Sequence, residues 1–168
     1  IRQAEVTSQG FRTQGLDPYE EQSAVSACFG LGSYIFDVNP AEDFDPASAR
    51  DDRYAVKEIR NGTWLGYKYF AFDEDAGEGK RMTLLLTLTD CAPGTVRIWA
   101  SEPKQCFTDP EQPRTLIGEG MLKGTRTTRV LSIPVTPLRG KKAIYFEFIS
   151  DAEGPVCEAE SFRFTVGE

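Results

Sequence analysis

Twenty-six acidic side chains and no histidine bound the chemistry open to this chain. Without histidine there is no Ser-His-Asp triad, no Cys-His pair and no His-ligated zinc site within the sequence. Carboxylate chemistry stays open, because a glycosidase needs two carboxyl groups held ~5 Å or more apart across a sugar bond. The adjacent pairs Glu20-Glu21 and Asp51-Asp52 lie in loop-like stretches that do not predict such a spacing, and they read as solvated acids. The cysteines are Cys28, Cys91, Cys106 and Cys157. No C-x-x-C spacing joins them, which argues against a metal knuckle, and an even count permits disulfides without requiring them. Free thiols are expected, since 168 residues, 40% of them hydrophobic, can bury a core without staples. Two aromatics stand on the polar side of amphipathic strands: Trp99 beside Arg97, and Tyr145 beside Glu147.

The elements that position these residues are short strands punctuated by Gly, Pro, Asp and Asn. Strands are expected at Arg2 to Val6, Ser33 to Val38, Tyr54 to Arg60, Trp64 to Phe72, Met82 to Thr89 and Thr95 to Ser101. Others are expected at Thr115 to Gly118, Arg129 to Val135, Ala143 to Ser150 and Glu158 to Val166. Asn61-Gly62 between two of them predicts a hairpin, and in that turn the formal sequon Asn61-Gly62-Thr63 reads as turn chemistry. Ala41 to Asp52, Asp73 to Gly79 and Glu102 to Pro113 read as loops. Pro134 suits an edge strand or a strand's exit. Alternation places Val96, Ile98 and Ala100 on one face against Arg97 and Trp99, and Ile144, Phe146 and Phe148 against Tyr145 and Glu147. No sustained helical period is present. The pattern predicts one all-β domain over residues 1–168, a jelly-roll β-sandwich of two antiparallel sheets.

Net charge is −7, and no block of Lys and Arg provides the clustered cations that nucleic acid requires. An acidic balance fits solubility, a neutral ligand or a bound cation. No apolar run reaches membrane-spanning length, the most apolar being Leu84 to Leu88, so neither nucleic acid nor membrane is an expected partner. The start at Ile1 is what a mature product or a piece of a longer protein presents. A secreted or cell-associated setting is favoured.

The run from Tyr54 through Ile59-Arg60-Asn61-Gly62-Thr63-Trp64 to Phe70 resembles a segment of carbohydrate-binding module family 6, in which an Ile is followed by Asn-Gly-Asp-Trp and an alternating strand. Gln3-Ala4-Glu5 is similar to that family's opening strand, Leu116-Ile117-Gly118 to a short internal strand, and Glu160-Ser161-Phe162-Arg163-Phe164 to its last strand. Tyr67-Lys68-Tyr69-Phe70 also resembles modules found C-terminal to catalytic domains of glycoside hydrolase family 43. The likeness runs from Gln3 to Phe164. Ala41-Glu42-Asp43-Phe44 offers a second match for the opening; Gln3 is preferred because Pro40 would fall where a side-chain ligand belongs.

The resemblance implies a structural Ca²⁺ held by Gln3 and Glu5, which alternation puts on one face, and by Glu160, clamping the two chain ends. Solvated surface polars are the alternative at these positions. It also implies two places for a sugar, whose C–H faces stack on flat rings while polar neighbours bond the hydroxyls. At the loop end, the family's two aromatics and Asn correspond to Glu58, Arg126 and Glu158, none of which matches. A Glu-Arg-Glu cluster there reads as a rebuilt site for a charged or hydroxylated group or, preferentially, as an ion-pair patch. On the concave sheet face the candidates are Trp99 and Tyr145, with packing against a partner domain or under the Glu102 to Pro113 loop as the alternative for Trp99. Trp64 reads as a sandwich residue. The implied function is that of a non-catalytic accessory domain of a plant-polysaccharide-degrading glycoside hydrolase, binding β-linked glycan such as xylan. Its partners would be a poly- or oligosaccharide and a catalytic domain in the same parent protein. The alternative is a structural domain that packs on the catalytic domain without binding sugar.

Overall fold

The computed structural model describes residues 5–7, 10–12, 16–27, 29–32, 35–37, 55–72, 80–102 and 114–167. Outside these lie Gln3, Cys28, Cys106, the alternative opening Ala41 to Phe44, the loops expected at Ala41 to Asp52 and Asp73 to Gly79, and most of Glu102 to Pro113. Five short strands come first: β1 (Glu5–Thr7), β2 (Gly10–Arg12), β3 (Gln22–Ser23), β4 (Phe29–Leu31) and β5 (Ile35–Asp37). Longer ones follow: β6 (Ala55–Ile59), β7 (Trp64–Phe72), β8 (Arg81–Thr89) and β9 (Gly94–Ser101). The chain closes with β10 (Thr115–Leu122), β11 (Arg129–Val135), β12 (Gly140–Ile149) and β13 (Cys157–Gly167). Among the described residues a 3₁₀ turn, Ala24–Ser26, is capped by the Ser23 side chain, which accepts from the Val25 amide.

These strands form two facing antiparallel sheets. One has five strands in the order β10-β9-β12-β7-β4; the other runs β11-β8-β13-β6-β5, with β3 also paired to β13. β1 and β2 pair with each other in a separate ribbon. The expected all-β sandwich of two antiparallel sheets is what the chain forms. β11, which carries Pro134, lies at the edge of its sheet, where a missing N–H costs no ladder bond.

Period-2 patterning explains why the strands settle as they do. Leu84, Leu86 and Leu88 on β8 turn into the sandwich while Thr83, Leu85 and Thr87 turn away. Val96 and Ile98 on β9, and Ile144, Phe146 and Phe148 on β12, fill the same core from the opposite sheet. At its centre, aromatic rings meet edge to face: Phe162 lies 4.7 Å from Tyr67 and 4.9 Å from Phe146, centroid to centroid. The Tyr67 hydroxyl, buried with its ring, donates to the Ala24 carbonyl at 2.8 Å, so the core gains a polar atom without an unmet hydrogen bond.

The hairpin expected around Asn61-Gly62 is not formed. β6 belongs to one sheet and β7 to the other, so this turn is an arch between sheets. The turn chemistry is nevertheless as expected: the Thr63 amide donates to the Arg60 carbonyl at 3.1 Å, and Gly62 has φ of +90°. Positive φ at the third turn position is the type II arrangement, which glycine adopts without strain. What opens the hairpin is packing. Val56 and Ile59 face Leu65 and Tyr67 across the core, whereas a hairpin would leave them side by side in one sheet. The arch is docked by other contacts. Gly62 donates to the Phe148 carbonyl at 2.8 Å, and the Asn61 side-chain oxygen accepts from the Ser150 amide at 3.0 Å.

Candidate functional site

The outer face of the five-stranded sheet carries a grid of side chains fixed by strand register. Directly opposed residues of antiparallel strands share a face. One row runs Leu116, Trp99, Tyr145, Gly66 across β10, β9, β12 and β7. The next runs Glu119, Arg97, Glu147, Trp64 across the same strands. A row carrying Trp99 and Tyr145 thus lies beside a row of three charged residues that ends in Trp64. A register shift between Lys142 and Ile144 sets Lys68 and Tyr69 against Ala143 alone, a bulge that keeps Phe70 in the core and lets Tyr69 join the outer face.

Contacts tie the grid together. The Trp64 and Trp99 rings are tilted by 36° with centroids 5.8 Å apart. Trp99 Nε1 donates to Glu147 Oε1 at 3.1 Å. Arg97 bonds Glu119 at 3.2 Å and approaches Glu147 at 4.0 Å. The Arg114 guanidinium lies 5.0 Å from the Trp64 ring and 4.4 Å from the Tyr145 ring, within the range of cation–π attraction. Lys68 and Lys141 each place an ammonium 5.8 Å from the Tyr69 ring. Trp64, Tyr69 and Trp99 are partly exposed, while Tyr145 is 0% exposed with its hydroxyl 3.1 Å from Ser101 Oγ.

Trp99 and Tyr145, expected on one face, are indeed neighbours there, with Trp99 presented and Tyr145 beneath. Trp64 is a correction: it lies on this outer face and not in the sandwich. Its position was available in the alternation, because Leu65 and Tyr67 turn inward. Arg114 carries no sequence signal; it reaches the rings across strands.

Glu58, Arg126 and Glu158 also come together. With Lys57, Cys91 and Cys157 they line a cleft of about 670 Å³ at one end of the sandwich. Glu58 and Asp90 both border it with φ of +56°, a left-handed backbone unusual for side-chain-bearing residues. The favoured ion-pair reading does not hold for this trio: Glu58 pairs with Arg60 at 3.7 Å, and among the described residues neither Arg126 nor Glu158 forms an ion pair. These two groups face the cleft uncompensated by each other.

Of the residues implied for Ca²⁺, Gln3 and the Glu5 side chain lie outside what is described. Glu160 is half-buried on β13 and accepts from Thr89 Oγ1 at 3.0 Å. One carboxylate does not make a Ca²⁺ site, and among the described residues no three acidic or thiol groups cluster to hold a metal.

No family model matches the chain, and no curated protein matches it. Solved structures do. One is a glycoside hydrolase family 43 arabinoxylan arabinofuranohydrolase from Bacillus subtilis in complex with cellotetraose, at 17% identity and a TM-score of 0.66. The match covers 98% of this chain and 33% of that one, so this chain corresponds to one third of the hydrolase. A family 6 carbohydrate-binding module from Clostridium stercorarium in complex with cellobiose matches at 16% identity and a TM-score of 0.63, over 89% of this chain and 95% of that module. The chain has the fold of the family 6 carbohydrate-binding modules. A family 36 module in complex with calcium and xylotriose is more distant, at 11% identity and a TM-score of 0.52, covering 88% of this chain and 99% of that module. The family 6 fold places both surfaces described above, the sheet face and the loop-end cleft, on one small sandwich.

Proposed function

We propose that this chain is a non-catalytic module that binds a β-linked glycan such as xylan on the outer face of its five-stranded sheet, as an accessory domain of a plant-polysaccharide-degrading glycoside hydrolase. The observation that carries this reading is the partly exposed Trp64–Trp99 pair set beside Arg97, Glu119 and Glu147. Ring faces take the C–H surface of a pyranose, and the adjacent charged groups bond its hydroxyls. Trp99 is the stacking residue, and Tyr145 supports it from below. Arg126 and Glu158 form a second, polar contact at the loop end. Complexes of similarly folded modules with cellobiose and with xylotriose support the ligand class.

Isothermal titration with xylo- and cello-oligosaccharides in calcium tests this. Saturable heat is expected for the native chain, weakened about tenfold or more by Trp99→Ala, a loss of ~1.4 kcal/mol or greater. The similarity to one third of a hydrolase supports a second reading, a scaffold domain that packs on a catalytic neighbour without binding sugar. No heat with any glycan would establish that reading instead.

A structural Ca²⁺ held by Gln3, Glu5 and Glu160 belongs to the same proposal. Its support is the calcium complex of the family 36 module and the placement of Glu160 on β13. Removing calcium with a chelator should lower the thermal midpoint by about 5–10 °C relative to calcium at ~100 times its dissociation constant. An unchanged midpoint would remove the ion from the reading.

A further inference from the structure

Cys91 and Cys157 are free and buried, and both line the loop-end cleft. They come from separate elements. Cys91 follows β8 and forms an isolated bridge with Thr125, while Cys157 opens β13. The backbone holds the two segments together beside the thiols, with the Ala92 amide donating to the Val156 carbonyl at 2.6 Å and the Thr125 amide to the Cys91 carbonyl at 2.8 Å. Each thiol shifts the pKa of the other, and this makes them unequal. The Cys157 thiol lowers the Cys91 pKa against the opposing effect of burial, with Arg129 assisting; the Cys91 thiol, then burial, raises that of Cys157 well above the usual 9.0. One sulfur is therefore the readier thiolate, and its neighbour keeps its proton.

We propose that Cys91 and Cys157 are a redox modification site that takes a small-molecule disulfide and closes into a reversible intramolecular disulfide in the lining of the cleft. Two buried thiols lining one cleft, at the ends of neighbouring strands whose backbones are hydrogen-bonded beside them, are the starting geometry for such a bond, whose sulfurs sit ~2.05 Å apart. The Cys91 thiolate attacks one sulfur of the oxidant, forming a mixed disulfide and releasing one equivalent of small thiolate. Cys157 then gives up its proton and attacks the Cys91 sulfur, forming the Cys91–Cys157 bond and releasing the second equivalent. Two protein thiols are oxidised as one small disulfide is reduced to two thiols. The product ties the end of β8 to the start of β13, beside Glu58, Arg126 and Glu158. The proposal does not rest on the glycan-binding reading.

The test uses the full chain with Cys28→Ser and Cys106→Ser, so that only the proposed pair can react. Reduced protein is incubated with glutathione disulfide, alkylated and mapped by peptide mass. A peptide linking Cys91 to Cys157 is expected, with a thermal midpoint raised by ~10 °C and restored by dithiothreitol. Adding Cys157→Ser should leave a single glutathione trapped on Cys91. If that variant does not fold, mapping of the parent decides alone. Both thiols remaining open to alkylation after oxidation, or a linked peptide forming only in urea, would overturn the proposal.

Discussion

Phe162→Ala should lower the free energy of unfolding by ~3–5 kcal/mol, read as a shifted urea midpoint at unchanged slope. Phe162 is 0% exposed on β13, which is flanked in its sheet by β8 and β6. Its ring meets Tyr67, Phe146 and Phe70 at centroid distances of 4.7, 4.9 and 5.8 Å, so it contacts aromatics rooted in the opposite sheet. Truncation forfeits both the transfer of the ring from water and its contacts, because strands fixed on each side cannot collapse into the space. Phe162→Leu refills most of that space and should cost ~1.5 kcal/mol or less. Val130→Ala, at a 56% exposed position on edge strand β11, should change stability by no more than ~0.5 kcal/mol. Equal costs for Phe162→Ala and Val130→Ala would mean that the aromatic cluster does not hold the sheets together.

The contrast shows which parts of the molecule sequence makes legible. Val96, Ile98 and the Ile144, Phe146, Phe148 series announce their strands because alternation is local and each buried face answers to one core. The sheet assignment of a strand is not local. The Asn61-Gly62 turn has the residues of a tight turn in either a hairpin or an arch, and the choice rests on whether Val56 and Ile59 meet Leu65 and Tyr67 side by side or across the core. β2, β3 and β4 fall where no strand is expected, because two or three residues are too few to display a period. The same distinction governs the candidate site. Trp99 stands out within its own strand. Trp64, expected in the sandwich, lies on the outer face, and Arg114 stacks on rings from β7 and β12, a relation that only the assembled sheet creates. Glu58, Arg126 and Glu158 were brought together by resemblance and do share a cleft, but local charge alone did not tell that Glu58 would turn to Arg60.

Tyr145 separates support from contact on the proposed binding face. Its ring lies opposite Trp99 on one side and Gly66 on the other, is 0% exposed, and has the Arg114 guanidinium 4.4 Å from its centroid. A residue so placed orders the surface without touching what lands on it. Tyr145→Ala should therefore cost ~3–5 kcal/mol of stability and, in the protein that still folds, weaken glycan binding by loosening Trp99 and Arg114. Tyr145→Phe keeps the ring and removes only the hydroxyl that meets Ser101 at 3.1 Å. It should cost ~1 kcal/mol, the worth of one hydrogen bond, and leave glycan affinity within about twofold. Urea unfolding and titration of the same samples give both quantities. If Tyr145→Phe abolished the heat of binding while stability fell by less than ~1 kcal/mol, the hydroxyl itself would be reaching the sugar, and Tyr145 would belong with Trp99 among the contacting residues.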